Sequence, residues 1–204
     1  MKVKHLVGAF LCVLGCYACS SPKTEVQSPD GHIKMTLTVD ENGKPFYNVS
    51  VDDSLLIENS AMGFTAANGI ILAEGFQVKN TTFSSEDETW TQPWGENKKN
   101  RNHYNEMAVS LTNEDQVQLT LRFRVFDDGI GFRYEYTVPT VDSLLITDEL
   151  TTFHFHRDGT SWSIPASAET YELLYQQQPI SEVETANTPF TVKTVDGGYG
   201  SIHE

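Results

Sequence analysis

The chain has 204 residues, of which 39% are hydrophobic and 21% charged, enough apolar sequence for one domain with a buried core. Its formal net charge of −14 argues against nucleic acid as a partner, because that binding depends on neutralising phosphates, whereas neutral sugars and divalent cations stay compatible. All three cysteines lie within the first 19 residues, which excludes a disulfide or a cysteine metal site in the rest of the chain.

The first 19 residues have the order of a secretory signal peptide. Lys2 and Lys4 precede an apolar run, residues 6–14, that is too short for a stable membrane anchor. The residues that end at Cys16 resemble a bacterial lipobox, and those that begin at Cys19 resemble the start of a mature lipoprotein, so either cysteine is a candidate for lipidation. An ordinary cleaved signal is the alternative. We expect an exported protein, periplasmic or anchored to the outer membrane, that contacts the membrane only through a lipid.

A polar tether is predicted at residues 20–27, followed by a single domain over residues 28–204. The domain opens with a predicted β-hairpin, because apolar residues alternate with polar ones on both sides of the Asn42-Gly43 turn signal. The alternating apolar residues are Ile33, Met35, Leu37 and Val39 before the turn, and Tyr47, Val49 and Val51 after it.

The clearest periodic stretch is residues 117–138, where alternation on both sides of Asp128-Gly129 predicts a second hairpin with one buried face. Its apolar residues are Val117, Leu119, Leu121, Phe123 and Val125, then Ile130, Phe132, Tyr134, Tyr136 and Val138. The opposite face carries Arg122, Arg124, Arg133 and Glu135. These charges indicate either a solvated face with cross-strand ion pairs or a face that contacts sugar or another domain.

Shorter runs predict further strands at residues 54–57, 70–72, 107–111, 144–146, 151–155 and 162–165. Residues 168–178 are the one plausible short helix, since Tyr171, Leu174 and Tyr175 are near helical spacing and Pro179 would end it. Many short strands separated by turn signals predict an all-β, antiparallel β-sandwich with at most one short helix.

Residues 89–107 interrupt the alternation and predict a long polar loop. Trp90 and Trp94 are aromatic side chains of the kind that stack on sugar rings, and polar neighbours such as Glu96 could read hydroxyl groups. We therefore take Trp94 and Glu96 as candidate substrate-binding residues. The alternative is that the tryptophans plug the rim of the sandwich.

His154 and His156 are two apart in a strand pattern and would project from one face, as two zinc ligands could. Zinc needs a third and usually a fourth ligand, and the other histidines are scattered, so an ordinary surface pair is the favoured interpretation. Serine nucleophile motifs and phosphate-binding glycine loops are absent from the sequence.

Six sequence blocks in order resemble the N-terminal domain of glycoside hydrolase family 97, the α-glucosidases and α-galactosidases typical of Bacteroidetes. They are Ser28-Pro29-Asp30-Gly31; Trp94-Gly95-Glu96 with His103-Tyr104-Asn105-Glu106; FRVFDDGIGFRY at residues 123–134; Trp162-Ser163-Ile164-Pro165; Thr188-Pro189-Phe190; and Ile202-His203-Glu204.

The resemblance implies a galactose-mutarotase-like β-super-sandwich that is followed by a (β/α)8 barrel and a small C-terminal β-domain. It also implies that Glu204 reaches the barrel's active site, where it contacts substrate and helps to bind Ca²⁺. The catalytic carboxylates of the family lie in the barrel, so no residue of this sequence receives a catalytic role. The implied substrates are α-linked glucoside or galactoside oligosaccharides.

Two other functions stay open from the residues. One is a free-standing carbohydrate-binding lipoprotein that uses Trp90 and Trp94. The other is an epimerase of the mutarotase type, which would need a general acid and a general base and could draw them only from His103, His154 and Glu106.

Overall fold

The computed structural model describes residues 24–67, 69–139 and 141–203. The predicted signal peptide, Cys16, Cys19 and Glu204 lie outside the described residues. Within them, the secondary structure consists of β-strands and one 3-10 turn, Ile180–Glu182. In chain order the strands are β1 (Glu25–Gln27), β2 (Ile33–Val39), β3 (Pro45–Val51), β4 (Ser54–Ala61), β5 (Phe64–Ala66), β6 (Ile71–Leu72), β7 (Gln77–Thr91), β8 (Lys99–Thr112), β9 (Gln118–Phe126), β10 (Gly129–Thr137), β11 (Ile146–Glu149), β12 (Gly159–Ser163), β13 (Gln176–Pro179), β14 (Phe190–Thr194) and β15 (Tyr199–Ile202).

The strands form four antiparallel sheets, with strand orders β1-β2-β3-β4, β10-β9-β8-β7, β11-β5-β6 and β13-β12-β14-β15. The first two are four-stranded and carry the main core. Strand β1 pairs with β2, so the last three residues of the predicted tether belong to the first sheet. The predicted all-β antiparallel sandwich is confirmed.

The β2–β3 hairpin follows its sequence signal. The Asp40 carboxylate accepts hydrogen bonds from the backbone amides of Asn42 (3.0 Å) and Lys44 (2.7 Å), which closes the turn. Gly43 has a φ of +76°, and a Cβ there would lie 2.3 Å from the amide nitrogen of Phe76. Glycine is therefore required for both the turn and the close approach of the two chain segments.

The core forms where the inward faces of the first two sheets meet, so the second sheet is packed against the first. The first sheet contributes Met35, Leu37, Tyr47, Val49 and Ile57, and the second contributes Met107, Val109, Leu111, Leu119, Leu121, Phe123 and Val125. Complete burial of one such side chain contributes about 1.5–3 kcal/mol to folding. The β9–β10 hairpin, with Gly129 opposite Phe126 at its turn, confirms the second predicted hairpin.

A tyrosine cluster joins the third sheet to the end of this core. The ring of Phe64 lies 4.6 Å from that of Tyr134, and the Tyr136 hydroxyl donates to the carbonyl of Leu72 at 2.5 Å. The Tyr134 hydroxyl is hydrogen-bonded to the Thr151 hydroxyl at 2.6 Å. Burial raises the pKa of Tyr134 and of Tyr136, so both phenols stay neutral.

The helix predicted at residues 168–178 is wrong. The Ser167 hydroxyl accepts from the amides of Glu169 (3.2 Å) and Thr170 (3.4 Å), and these local bonds compete with helical ones. Residues 176–179 instead pair with β12 as strand β13. A short isolated helix is marginal without a surface to pack on, and Leu174 is 88% exposed here.

The strand predicted at residues 151–155 is only partly formed. The segment runs beside β4, and the amide of Thr152 donates to the carbonyl of Ala61 at 3.0 Å. The amide of His154, however, donates to the Ser60 hydroxyl at 2.8 Å instead of to a carbonyl. Asn59 has a φ of +42°, which bends β4 and leaves a single bridge between Ile57 and Phe155.

The long loop predicted at residues 89–107 is also wrong, because only residues 92–98 form a turn between β7 and β8. Strand β7 is an edge strand with most of its side chains exposed on both faces. It therefore lacks the apolar alternation by which a half-buried strand is recognised. The corrected picture is a long, continuous hairpin.

Candidate functional site

The β7–β8 hairpin extends beyond the rest of its sheet. Strand β8 pairs with β9 only from Asn105 onward, whereas it pairs with β7 as far as Lys99, opposite Thr91. Residues 86–104 therefore form a two-stranded extension, which we call the arm. It carries Trp90, Trp94 and Glu96, so the structure brings these candidate residues together on one element.

Cross-strand polar pairs on both faces stabilise the arm. Arg101 binds Asp87 with two hydrogen bonds, Nε to Oδ1 at 2.7 Å and Nη2 to Oδ2 at 2.8 Å, and this partner lowers the pKa of Asp87. On the opposite face the Asn102 amide donates to Glu88 Oε1 at 3.1 Å. These groups are exposed, so the pairs define the register of the arm more than they add to global stability.

The tip of the arm has a defined backbone. The Gln92 side chain spans the turn and donates from Nε2 to the carbonyl of Asn97 at 2.8 Å. Gly95 has a φ of +125°, and a Cβ there would lie 2.5 Å from Gln92 Nε2. The turn thus needs glycine at this position, and it presents the side chains on either side of Gly95 in a preorganised way.

Trp94 and Glu96 flank that glycine and are exposed to solvent. Trp94 is 85% exposed and borders an open depression of about 540 Å³. The depression is also lined by Thr91, Gln92, Pro93, Gly95 and Lys98. An exposed indole offers a flat apolar face for a sugar ring, and a nearby carboxylate can accept hydrogen bonds from hydroxyl groups. The geometry suits a contact to carbohydrate.

A charged network holds the base of the arm. Glu106, which is 8% exposed, accepts from Arg122 Nη1 at 2.5 Å and from Arg124 Nε at 2.8 Å. Arg122 also binds Glu135, with Nε to Oε1 at 2.9 Å, and Arg133 binds the same carboxylate. The cross-strand ion pairs predicted for this hairpin face are therefore present.

The arginine partners determine the protonation state of Glu106 and Glu135. Burial raises the pKa of Glu106, but hydrogen bonds from Arg124 and Arg122 outweigh burial, and the net pKa is lowered. The Arg122 hydrogen bond lowers the pKa of Glu135 to about 2. Both oxygens of Glu106 are occupied and the group is ionised at neutral pH, so it is unsuited to act as a general acid. This weighs against the epimerase alternative.

Aromatic packing continues the network toward the arm. The Arg124 guanidinium lies 4.4 Å from the centre of the Tyr104 ring, and that ring lies 5.2 Å from the ring of Phe126. Sequence reasoning placed Glu106 in a loop and missed its structural role. The alternation of Met107, Val109 and Leu111 contained the signal, since the same period puts Glu106 on the face opposite the core.

The two candidate zinc ligands have other surroundings. His156 Nδ1 lies 2.8 Å from Glu58 Oε2, and the His154 backbone is bonded to Ser60. Across residues 24–67, 69–139 and 141–203, no group of three or more His, Cys, Asp or Glu side chains is arranged to hold a metal ion. Nor is any helix in that part long and apolar enough to cross a membrane.

The chain is similar in sequence and structure to known glycosidases. It is 24% identical, over 97% of its length, to a retaining alpha-galactosidase from Bacteroides thetaiotaomicron, and it covers 30% of that enzyme. It is 37% identical to a glycoside hydrolase family 97 enzyme from Pseudoalteromonas sp. strain K8, whose solved structures include complexes with panose and with acarbose. The TM-score to that enzyme is 0.80, over 88% of this chain and 28% of the enzyme.

A further solved structure, a beta-arabinopyranosidase, aligns with a TM-score of 0.76 at 23% identity, which shows a shared fold alone. The chain spans less than a third of the length of each of these relatives. The family model for the glycosyl-hydrolase 97 N-terminal domain matches residues 26–204, nearly all of the described structure. The chain therefore belongs to the glycosyl-hydrolase 97 N-terminal domain family.

Proposed function

We propose that this chain is the N-terminal β-sandwich of an α-glycosidase and completes the active site of a (β/α)8 barrel that follows it in a longer protein. The observation that carries the proposal is the family match over residues 26–204, combined with relatives of which the chain covers only 28–30%. The substrates are α-linked glucoside or galactoside oligosaccharides. This choice is supported by the relatives, one an alpha-galactosidase and the other bound to panose or acarbose.

The domain is not catalytic on its own. Hydrolysis of a glycosidic bond commonly needs one carboxyl group to protonate the leaving oxygen and a second carboxylate on the other side of the bond. The most buried described carboxylate, Glu106, is instead held by Arg122 and Arg124. The catalytic pair comes from the barrel, and the N-terminal domain binds and orients.

Glu204 is the proposed link between the domain and the barrel site, as a contact to substrate and a ligand to Ca²⁺ in the full-length enzyme. Calcium takes about 6–8 oxygen ligands, so one glutamate cannot hold it, and the barrel is proposed to supply other ligands. The described residue nearest to it in sequence, His203, directly follows β15. Strand pairing of β15 with β14 fixes where the chain leaves the sheet.

Trp94 and Glu96 are proposed to contact the sugar chain from the tip of the arm. The exposure of Trp94 and the preorganised turn around Gly95 support this role. Export is proposed as well, with residues 1–19 as the signal and a lipid on Cys16 or Cys19 that anchors the protein in the periplasm or outer membrane. The order of charged, apolar and cysteine residues supports it.

The test begins with the intact mass of the native protein, extracted from its own cells with detergent. We expect a mass several-fold above that of this chain. The native protein should hydrolyse aryl α-glucosides or α-galactosides, and Glu204→Gln or chelation of calcium should abolish turnover. The matched control is Glu184→Gln, an exposed glutamate elsewhere in the domain, which should retain activity. Turnover by the 204-residue chain alone would overturn the proposal.

A free-standing carbohydrate-binding lipoprotein is the second candidate, and the exposed Trp94 beside the depression favours it. It predicts a native mass equal to this chain without its signal. It also predicts saturable quenching of tryptophan fluorescence by maltooligosaccharides, with loss of binding in Trp94→Ala. A control variant, Trp162→Phe, lies in β12 away from the arm and should leave binding unchanged. A mass several-fold higher excludes this candidate.

A further inference from the structure

The loop between β12 and β13, residues 164–175, exposes a run of large apolar side chains. Tyr171 is 76% exposed, Leu173 40%, Leu174 88% and Tyr175 63%. Exposed large apolar side chains that are grouped in this way are typical of an interaction surface. We call residues 164–175 the apolar loop.

The apolar loop is ordered by its own hydrogen bonds and is not a frayed segment. The Ser167 hydroxyl accepts from two backbone amides, and the Thr170 hydroxyl accepts from the amide of Glu172 at 3.0 Å. Both ends are fixed, because Ser163 pairs with Gln176 where β12 and β13 meet the loop. The hydrogen bonds thus order the backbone on the N-terminal side of Leu173, and the pairing of Gln176 fixes the C-terminal side.

The register of the fourth sheet places this loop at the end from which the chain leaves the domain. Ser163 lies at that end, beside the start of β14, and Phe190 of β14 pairs with Ile202 of β15. The opposite end carries the turn at residues 195–198 between β14 and β15. Residue 203 thus leaves the sheet on the same side as the apolar loop.

We propose that the apolar loop is the docking surface for the part of the longer glycosidase that follows this chain. This inference rests on the proposed function, since relatives extend far beyond the 28–30% of their length that the chain covers. The loop carries two acidic residues, Glu169 and Glu172, and no basic one. The complementary surface is therefore an apolar recess with basic groups at its rim, a pattern typical of interfaces with an apolar centre and a polar edge.

Hydrogen exchange on the native protein tests the docking. The amides of residues 172–175 should exchange at least about tenfold more slowly than those of the exposed turn at residues 195–198, because only the first set is covered. If the native protein is longer than this chain, hydrolyses glycosides and still exchanges equally fast at both places, the docking surface is wrong and the proposed function stands. If the native mass equals that of this chain without its signal, both fail.

A charge substitution gives a second, independent test in the native protein. Leu174→Asp places a carboxylate in the proposed contact without disturbing the domain itself, since that side chain is 88% exposed in it. Calorimetry should show an unfolding transition lowered by about 5 °C or more, or split in two. The matched control is Val195→Asp, 66% exposed at the opposite end of the same sheet, and should unfold as the native protein does. Equal behaviour of the two variants overturns the inference.

The occupant could instead be a second copy of the same protein, and sedimentation distinguishes this outcome. We expect Leu174→Asp to leave the oligomeric state unchanged. Conversion of a native dimer to a monomer by this substitution would assign the apolar loop to self-association and overturn the docking proposal.

Discussion

Arg122 and Glu106 form a 2.5 Å hydrogen bond between charged groups on the neighbouring strands β9 and β8. Glu106 is 8% exposed, so its charge depends on its arginine partners more than on water. Strand β8 continues into the arm, and the turn that joins it to β7 carries Trp94 and Glu96. The pair therefore links the stability of the sandwich to the placement of the candidate sugar contact.

Glu106→Gln should destabilise the domain. The substitution keeps the shape of the side chain but removes the negative charge that satisfies Arg122 and Arg124. We expect the free energy of unfolding to fall by about 1–3 kcal/mol, measured by urea denaturation followed by circular dichroism. Glu88→Gln is the control, because that glutamate is exposed and bonds only Asn102 through a side-chain amide. Equal urea midpoints for the two variants would contradict the structural role of Glu106.

The stability of the domain should also fall in acid, because the arginine partners of Glu106 and Glu135 lower the pKa of both carboxyl groups. The Arg122 hydrogen bond lowers the pKa of Glu135 to about 2, and hydrogen bonds from Arg124 and Arg122 lower the pKa of Glu106 below 4.5 despite its burial. The unfolded chain therefore binds more protons between about pH 4.5 and pH 2. This contribution is complete above about pH 4.5 and is lost as the pH falls toward 2.

The measurement is the urea midpoint as a function of pH. In Glu135→Gln the midpoint should depend less steeply on pH between about 4.5 and 2 than in the native sequence. Glu41→Gln, at an exposed turn, is the matched control and should keep the native slope. A steep acid transition that survives in Glu135→Gln would show that other carboxylates cause it.

Leu121→Ala tests the shared core of the two large sheets. Leu121 is 0% exposed and lies on β9, a central strand of the second sheet with β8 and β10 on its two sides. Removing its side-chain atoms should cost about 2–5 kcal/mol of unfolding free energy, through lost burial and the cavity left behind. Leu145→Ala, at a residue 69% exposed, should cost little. Similar urea midpoints for the two variants would show that Leu121 does not pack as described.

The two hairpins of the core were predictable because each has a single buried face and a strong turn signal. Alternation from Val117 to Val125 marks the buried face of β9 and leaves Arg122 on the opposite face. Asn42-Gly43 marks a turn in which only glycine fits. A strand that is buried on one face alternates apolar and polar residues, and this alternation is what predicted the β-sandwich.

The arm and the apolar loop were mispredicted because their side chains are exposed and leave no pattern of one-sided burial in the sequence. Strand β7 is exposed on both faces near Trp90, so its sequence lacks the apolar alternation that would have predicted a strand. The apolar residues Tyr171, Leu174 and Tyr175 imitate helical spacing, but within the described structure they have no surface to pack on. Helical spacing of apolar residues does not produce a helix where the helix would have no surface to pack against.

The tip of the arm offers a local test that leaves the core untouched. Gly95→Ala forces a side chain into a position with φ of +125° and places Cβ 2.5 Å from Gln92 Nε2. The bond from Gln92 to the carbonyl of Asn97 should break, and the turn should open at a cost of about 1–2 kcal/mol. Trypsin should then cleave after Lys98 and Lys99 several-fold faster, while the urea midpoint of the core stays unchanged. Gly129→Ala is the matched control, since a Cβ there meets nothing within 4 Å. Equal cleavage rates in the two variants would mean that the turn does not depend on Gly95, and Trp94 could then not be regarded as preorganised.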